Sequence, residues 1–143
     1  MMTMNGRATR QPAPLFGGKG NMTPHLLPWL AVPHTTYVEP FAGMAAVLWA
    51  KPPSPVEVLN DISSAIYDFF CVLADPEAYA VFERRATLLP HSRQLYQECR
   101  ATWAQQADRG ERVWRWYVVA SQSFSGRFGA GFSVGIAAPD SSP

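Results

Sequence analysis

Hydrophobic residues first fall into a pattern near His25. From His25 to Leu30 they have helical spacing, with Pro24 suited to a first helical position and Thr23 to the N-cap. Thr35 to Val38 reads as a strand running into Glu39. A turn at Gly43 follows, then the apolar run Met44 to Ala50, a buried helix. Lys51-Pro-Pro-Ser-Pro55 ends that helix, because Pro lacks an N–H and clashes with the preceding turn. Val56 to Leu59 is a second strand. Ile66, Phe69, Phe70 and Leu73 lie on one face of a helix from Ser63 to Leu73. Asp75-Pro76 opens another helix that runs to about Leu89. Ser92 to Gln106 is a third, broken near Gly110, and Arg112 to Ser123 is a strongly apolar fourth. The stretch from Phe124 to Gly135 alternates Gly with aromatics and reads as a loop or hairpin. The order is a βαβ unit followed by a helical block, which predicts an α/β fold.

Composition adds limits. A chain of 143 residues that is 48% apolar and 16% charged can bury a real core and is not disordered. A net charge of +1 alone predicts no polyanion partner. Its distribution says more: after residue 80 there are eight cations, all Arg, against five acids. Arg grips phosphate through a planar fork, although a solvated helix surface gives the same count. Cys71 and Cys99 are too few and too far apart for a disulfide framework or a metal site, and read as buried thiols of a reducing compartment. His25, His34 and His91 lack metal-ligand spacing, so no metal is expected. There is no membrane-span-length apolar run and no signal-peptide pattern, and the expected location is the cytoplasm.

Three short segments carry candidate chemistry. Gly17-Gly18-Lys19 is not a P-loop, because Ala13 stands where the first Gly should be and Gly20 where Ser or Thr should be. Glu39-Pro-Phe-Ala-Gly43 follows a strand and opens a helix. Gly43 can take the positive φ of a tight turn, and Phe41 is either a flat wall for an adenine ring or a core side chain. Val58-Leu-Asn-Asp61 ends a second strand in an acid. Asp61 suits a ribose hydroxyl, and equally suits the start of the next helix. Lys51-Pro-Pro-Ser54 only superficially looks catalytic, since a cation precedes the Pro pair and no aromatic follows.

In this order and spacing the segments resemble the Dam-type adenine-specific DNA methyltransferases and their phage and restriction-modification relatives. The likeness rests on Leu15-Phe-Gly-Gly-Lys19, Glu39-Pro-Phe-Ala-Gly43, Asn60-Asp-Ile62 with the helix Ile66-Tyr-Asp-Phe-Phe70, and Ser123-Phe-Ser-Gly-Arg-Phe-Gly-Ala-Gly-Phe-Ser-Val134. It spans roughly residues 14 to 135. It implies a Rossmann-like S-adenosylmethionine-dependent methyltransferase fold, truncated, with part of a helical DNA-recognition region. Residues 1–13 would be a flexible leader, 14–75 the first part of the cofactor domain, and 76–143 part of the DNA-recognition region. By motif position, Leu15 and Lys19 would lie at the methionine end of the cofactor. Glu39, Phe41 and Gly43 would form the turn beneath it, and Asp61 would take the ribose hydroxyls. Arg127 and Ser125, in the Gly/aromatic loop, would face double-stranded DNA.

The sequence departs from that family in three ways. Leu15 replaces an aromatic, and Ala45 replaces a second Gly. The catalytic Asp-Pro-Pro-Tyr is absent from these residues, so no catalytic residue is assigned. The expectation is a fragment inactive alone, its sheet left with an unpaired edge; a truncated gene, a frameshifted phage remnant and one half of a split enzyme, with a separate C-terminal half carrying the catalytic motif, all fit. The alternative is a non-catalytic DNA-binding or accessory remnant of the same fold.

Overall fold

A computed structural model describes residues 18–134. Backbone packing divides them into two compact units that part between Ile66 and Tyr67. The expected leader and Leu15 lie outside the described residues.

The first unit opens with a 3-10 turn at Lys19–Met22, helix α1 at Thr23–Leu26 and a second 3-10 turn at Leu27–Ala31. The single helix expected from His25 to Leu30 is therefore split. Pro28 sits within the first two positions of the second turn, where its missing N–H prevents α-helix continuation. Thr23 is not an N-cap either: it is already helical, and its hydroxyl donates back to the Lys19 carbonyl at 2.9 Å.

Strand β1, Thr36–Glu39, pairs in parallel with β2, Val56–Leu59, placing Thr36 opposite Val56 and Glu39 opposite Leu59. Helix α2, Ala46–Ala50, makes the crossover between them. It starts two residues later than the apolar run suggested, because Ala45 takes a left-handed backbone with φ 50° that cannot belong to the helix. Tyr37, Ala42, Met44, Ala46 and Val47 are buried and form the core of this unit. Val38, Val56 and Val58 remain exposed, so one face of the two-stranded sheet is uncovered.

Helix α3 is Ser64–Ala74. In the second unit, α4, Pro76–Thr87, is capped by Asp75, whose carboxylate accepts from Glu77 N at 2.9 Å and Ala78 N at 3.0 Å. Helix α5, Arg93–Thr102, is capped by Ser92 and tightens into a 3-10 turn at Trp103–Gln105. Helix α6, Arg109–Gln122, begins three residues before the expected Arg112. The break expected near Gly110 falls at 106–108, and Asp108, accepting from Glu111 N at 2.7 Å, carries Gly110 into the first turn of α6. The core is aromatic. Phe69 packs on Phe82 and Trp116 at centroid distances of 5.6 Å each, and Phe82 meets Tyr117 edge-on at 5.1 Å. Both cysteines are free; Cys99 is buried, which pushes its thiol up, whereas Cys71 is only half-buried.

Four of the Arg residues in this unit are spent on internal pairing. Arg109 and Arg112 hold the buried Asp68 at 3.1 and 2.8 Å. Arg85 and Arg115 hold Glu111 at 2.8 and 2.7 Å. Burial pushes the Glu111 carboxyl up, but the two guanidiniums outweigh it and bring it below its ordinary value. The count alone could not reveal this internal pairing of the four.

Candidate functional site

Parallel pairing brings the C-terminal ends of β1 and β2 together, and the loops that follow are laced to each other. Asn60 N donates to the Glu39 carbonyl and Ala42 N to the Asn60 carbonyl, both at 2.9 Å. The Asn60 amide donates to the Pro40 carbonyl at 2.9 Å. Asp61 completes the lacing: one carboxylate oxygen accepts from Gly43 N at 2.8 Å and the other from Ser63 N at 2.9 Å. Asp61 thus serves two internal tasks. It closes a short turn before α3, and it is also fixed against the Gly43 turn. A carboxylate oxygen has two acceptor positions, so each retains one for a hydroxyl.

Gly43 has φ +53°, and a Cβ built there meets nothing within 4 Å. The turn needs Gly for its backbone angle rather than for space. Phe41 is 80% exposed, which excludes the core-Phe reading.

Glu39 is 5% exposed and divides its oxygens between two tasks. Oε1 accepts from the Tyr37 hydroxyl at 2.9 Å and from Leu48 N, in α2, at 3.0 Å. Oε2 meets Lys19 Nζ at 3.4 Å, and Nζ also donates to the Phe41 carbonyl at 2.6 Å. An acceptor and a cation thus stand side by side next to a groove of about 260 Å³. Its walls are apolar: Leu26, Trp29 (81% exposed), Leu30, Val38 and Phe41.

Behind Glu39, Tyr37 is held on its far side by Lys51, which is 3% exposed and lies over the ring with Nζ 4.3 Å from the centroid. Lys51 is anchored by Glu57, by the Ser54 hydroxyl at 2.9 Å and by the Pro52 carbonyl at 3.1 Å. Burial first, and then the neighbouring Glu39 carboxylate that accepts its proton, push the Tyr37 phenol far up. Bonding to Lys51, reinforced by Ser54 N, holds the Glu57 carboxyl below its ordinary value. Lys51 is thus a buried anchor for Tyr37, with Pro52 and Pro53 exposed beside it.

In the second unit, the Gly/aromatic stretch is a hairpin-like loop. Ser123 and Phe132 form an antiparallel bridge, and Phe124 N donates to the Gly131 carbonyl at 2.8 Å. The loop is anchored from below by the buried Tyr96, whose hydroxyl accepts from Gly131 N at 3.2 Å and meets Ser123 Oγ at 3.3 Å. Phe128 stacks on Trp116 at 6.0 Å and meets Trp103 edge-on at 5.5 Å. Ser125, Gly126, Gly129 and Gly131 all have positive φ, so the chain reverses in a tightly specified path. Arg127 and Ser125 are both exposed.

Five of the six residues expected to meet a cofactor, Lys19, Glu39, Phe41, Gly43 and Asp61, are therefore gathered at one end of the sheet. The sixth, Leu15, lies outside the described residues. Sequence reasoning missed Tyr37, Lys51, Trp29 and Tyr96. Tyr37 stands two residues before Glu39, hence on the same strand face, and that period was a usable signal. Trp29 and Tyr96 gave none beyond hydrophobic spacing, and Lys51 none beyond its place before a Pro pair. Among the described residues no group of three His, Cys, Asp or Glu is placed to hold a metal, and no helix is long and apolar enough to cross a membrane.

A family model described as D12 class N6 adenine-specific DNA methyltransferase matches residues 16–127. No curated protein and no solved structure matches the chain. The matched stretch covers most of the 143 residues, from the Gly-rich turn through the laced strand ends to Arg127, in agreement with the ordered motifs. The chain belongs to the D12 class of N6 adenine-specific DNA methyltransferases.

Proposed function

We propose that residues 14–75 are the cofactor-binding part of a Rossmann-like methyltransferase fold and that residues 76–143 belong to its DNA-recognition region. The ligand is S-adenosylmethionine, whose sulfonium supplies the methyl group destined for the exocyclic amino group of adenine in DNA. The residues present fit it. The Lys19–Glu39 pair matches a zwitterionic amino-acid end, with Glu39 Oε2 for the ammonium and Lys19 Nζ for the carboxylate. Asp61 keeps acceptor positions for ribose hydroxyls. Phe41 offers a flat exposed ring, and Gly43 lets backbone approach the ligand. Leu15 joins the methionine end by motif position alone. The observation that carries the reading is the convergence of Asp61, Gly43, Glu39 and Lys19 at the ends of two parallel strands.

Methyl transfer needs more than a held cofactor. The adenine amine shares its lone pair with the ring, so an acceptor for its N–H must help localise that pair. No Asp-Pro-Pro-Tyr occurs in residues 1–143. We assign that acceptor to polypeptide outside this sequence, a separate C-terminal half being one source. These residues by themselves then bind cofactor and DNA without transferring methyl. Arg127 and Ser125 face the DNA, where a guanidinium holds phosphate or a base edge.

Calorimetric titration with S-adenosylmethionine tests the reading, with Asp61→Ala as the control. Binding that the substitution abolishes is expected. A folded chain that binds no S-adenosylmethionine would instead favour a DNA-binding accessory role.

A further inference from the structure

We propose that the exposed strip of α5 formed by Arg93, Gln97 and Arg100 binds the sugar–phosphate backbone of duplex DNA alongside the 123–132 loop. The inference rests on the reading of this unit as DNA-facing and extends it to residues outside the recognised motifs.

The strip follows from helix geometry. At 3.6 residues per turn, positions 93, 97 and 100 fall within about 60° of one another around α5. Tyr96 and Cys99, both 2% exposed, mark the side that faces the core. Glu98 projects roughly 140–160° away from both arginines, on the opposite flank, where it accepts from the Gln94 amide at 3.0 Å. The only acid of α5 is therefore turned from the strip. Among the described residues no carboxylate pairs with Arg93 or Arg100; the acids that hold arginines hold Arg85, Arg109, Arg112 and Arg115.

The Gly/aromatic loop lies against this same flank. The Arg93 guanidinium sits over the Phe132 ring, 5.3 Å from its centroid. Arg100 Nε stands 3.6 Å from where a Cβ on Gly129 would be. Phe132 in turn meets Tyr96 at 5.8 Å, and Gly131 N donates to the Tyr96 hydroxyl. Two guanidiniums thus border the loop that carries Arg127 and Ser125. Their backbone positions are about 10 Å apart along the helix axis, a span of several phosphates at about 3.4 Å per nucleotide of one strand. Stacking of Arg93 on Phe132 leaves its N–H edge available and limits its rotamers, which lowers the ordering cost of a phosphate contact.

The test is the salt dependence of DNA binding by the full chain. Fluorescence anisotropy of a labelled 20-base-pair duplex, roughly two helical turns, is measured across a potassium chloride series. For Arg93→Gln with Arg100→Gln, the slope of log affinity against log salt is expected to fall by about 2, and affinity to drop similarly for unrelated duplex sequences. Arg84→Gln, an exposed charge on α4, is the control and should leave the slope unchanged. Unfolding curves confirm that all variants fold. The proposal is overturned if the double variant keeps the parent slope, or if Arg84→Gln lowers it equally, which would mean net charge alone matters. A parent chain with no salt-sensitive DNA binding would overturn both the strip and the DNA-facing reading. Loss confined to the double variant, with the parent binding intact, isolates the strip.

Discussion

Tyr37→Phe removes a single hydroxyl from the middle of the chain of contacts that presents Glu39. The phenyl ring remains, so no cavity opens and Lys51 keeps a ring beneath its ammonium. What is lost is one donor to the buried Glu39 Oε1, which retains Leu48 N at 3.0 Å. A hydrogen bond to a charged acceptor contributes about 1.5–3 kcal/mol, so a loss of about 2 kcal/mol is expected. That corresponds to a fall in Tm of roughly 6–10 °C for a chain of this size. The pH dependence carries a separate signature. The Tyr37 phenol is raised above its ordinary value of 10.0, so its contribution to stability is fully present below about pH 10. It is lost as pH climbs toward the raised folded value, because the unfolded chain ionises first. The variant should therefore lose less stability between pH 9 and 11, the range about 10, than the parent does. Tyr67, Tyr79 and Tyr117 are also raised, so the alkaline loss shrinks without vanishing. If the cofactor reading is right, loosening Glu39 also weakens S-adenosylmethionine binding about tenfold, or 1.4 kcal/mol. Thermal melts by circular dichroism, urea curves at pH 7 to 11 and calorimetry read these three effects. An unchanged Tm together with an unchanged alkaline limb would refute the Tyr37–Glu39 bond and the presentation of Glu39 built on it.

Three further outcomes follow from the same unit. Gly43→Ala should cost about 1–2 kcal/mol in a urea melt, since the new side chain meets nothing and only the left-handed backbone resists it. Ala45→Gly should stay within about 1 kcal/mol of the parent, because relief at φ 50° is offset by the loss of a fully buried methyl, worth about 0.8 kcal/mol. Glu57→Gln should cost about 1–2 kcal/mol at pH 7, solvent on the Glu57 side moderating the loss of a partner to the buried Lys51. The Glu57 carboxyl is held below its ordinary 4.5, so its contribution is present above that pH and is lost as pH falls through the lowered value. Urea curves of parent and variant should therefore converge in acid.

Much of the architecture was readable locally. The strand ending in Glu39, the acid Asp61 just past the second strand, the Gly43 turn and the caps at Asp75 and Ser92 depend on residues within a few positions of one another, where period, φ and capping chemistry act. The start of α6 was local too. Asp108 followed three residues later by Glu111 is a helix-opening pattern, and it sets the expected break just before Gly110, at 106–108. Pro28 likewise explains, from the sequence alone, why the first helix divides.

The rest required the chain to fold back on itself. Nothing near Glu39 announces that Oε1 is occupied and Oε2 is turned to Lys19, twenty residues earlier. Lys51 reads as an ordinary exposed cation before a Pro pair; only the parallel crossover lays it over Tyr37 and buries it with Glu57. Tyr96 gives only helical spacing, yet it anchors a loop thirty-five residues later. The Arg excess could be counted but not sorted, because pairing with Asp68 and Glu111 depends on which helix faces meet. Sequence by itself determined the residue types, the local turns and the ordered motifs that mark the family, since those are set by short-range sterics and hydrogen bonding. Tertiary structure decided which charges are spent on one another and which are presented, because burial and distance between remote residues exist only once the elements pack.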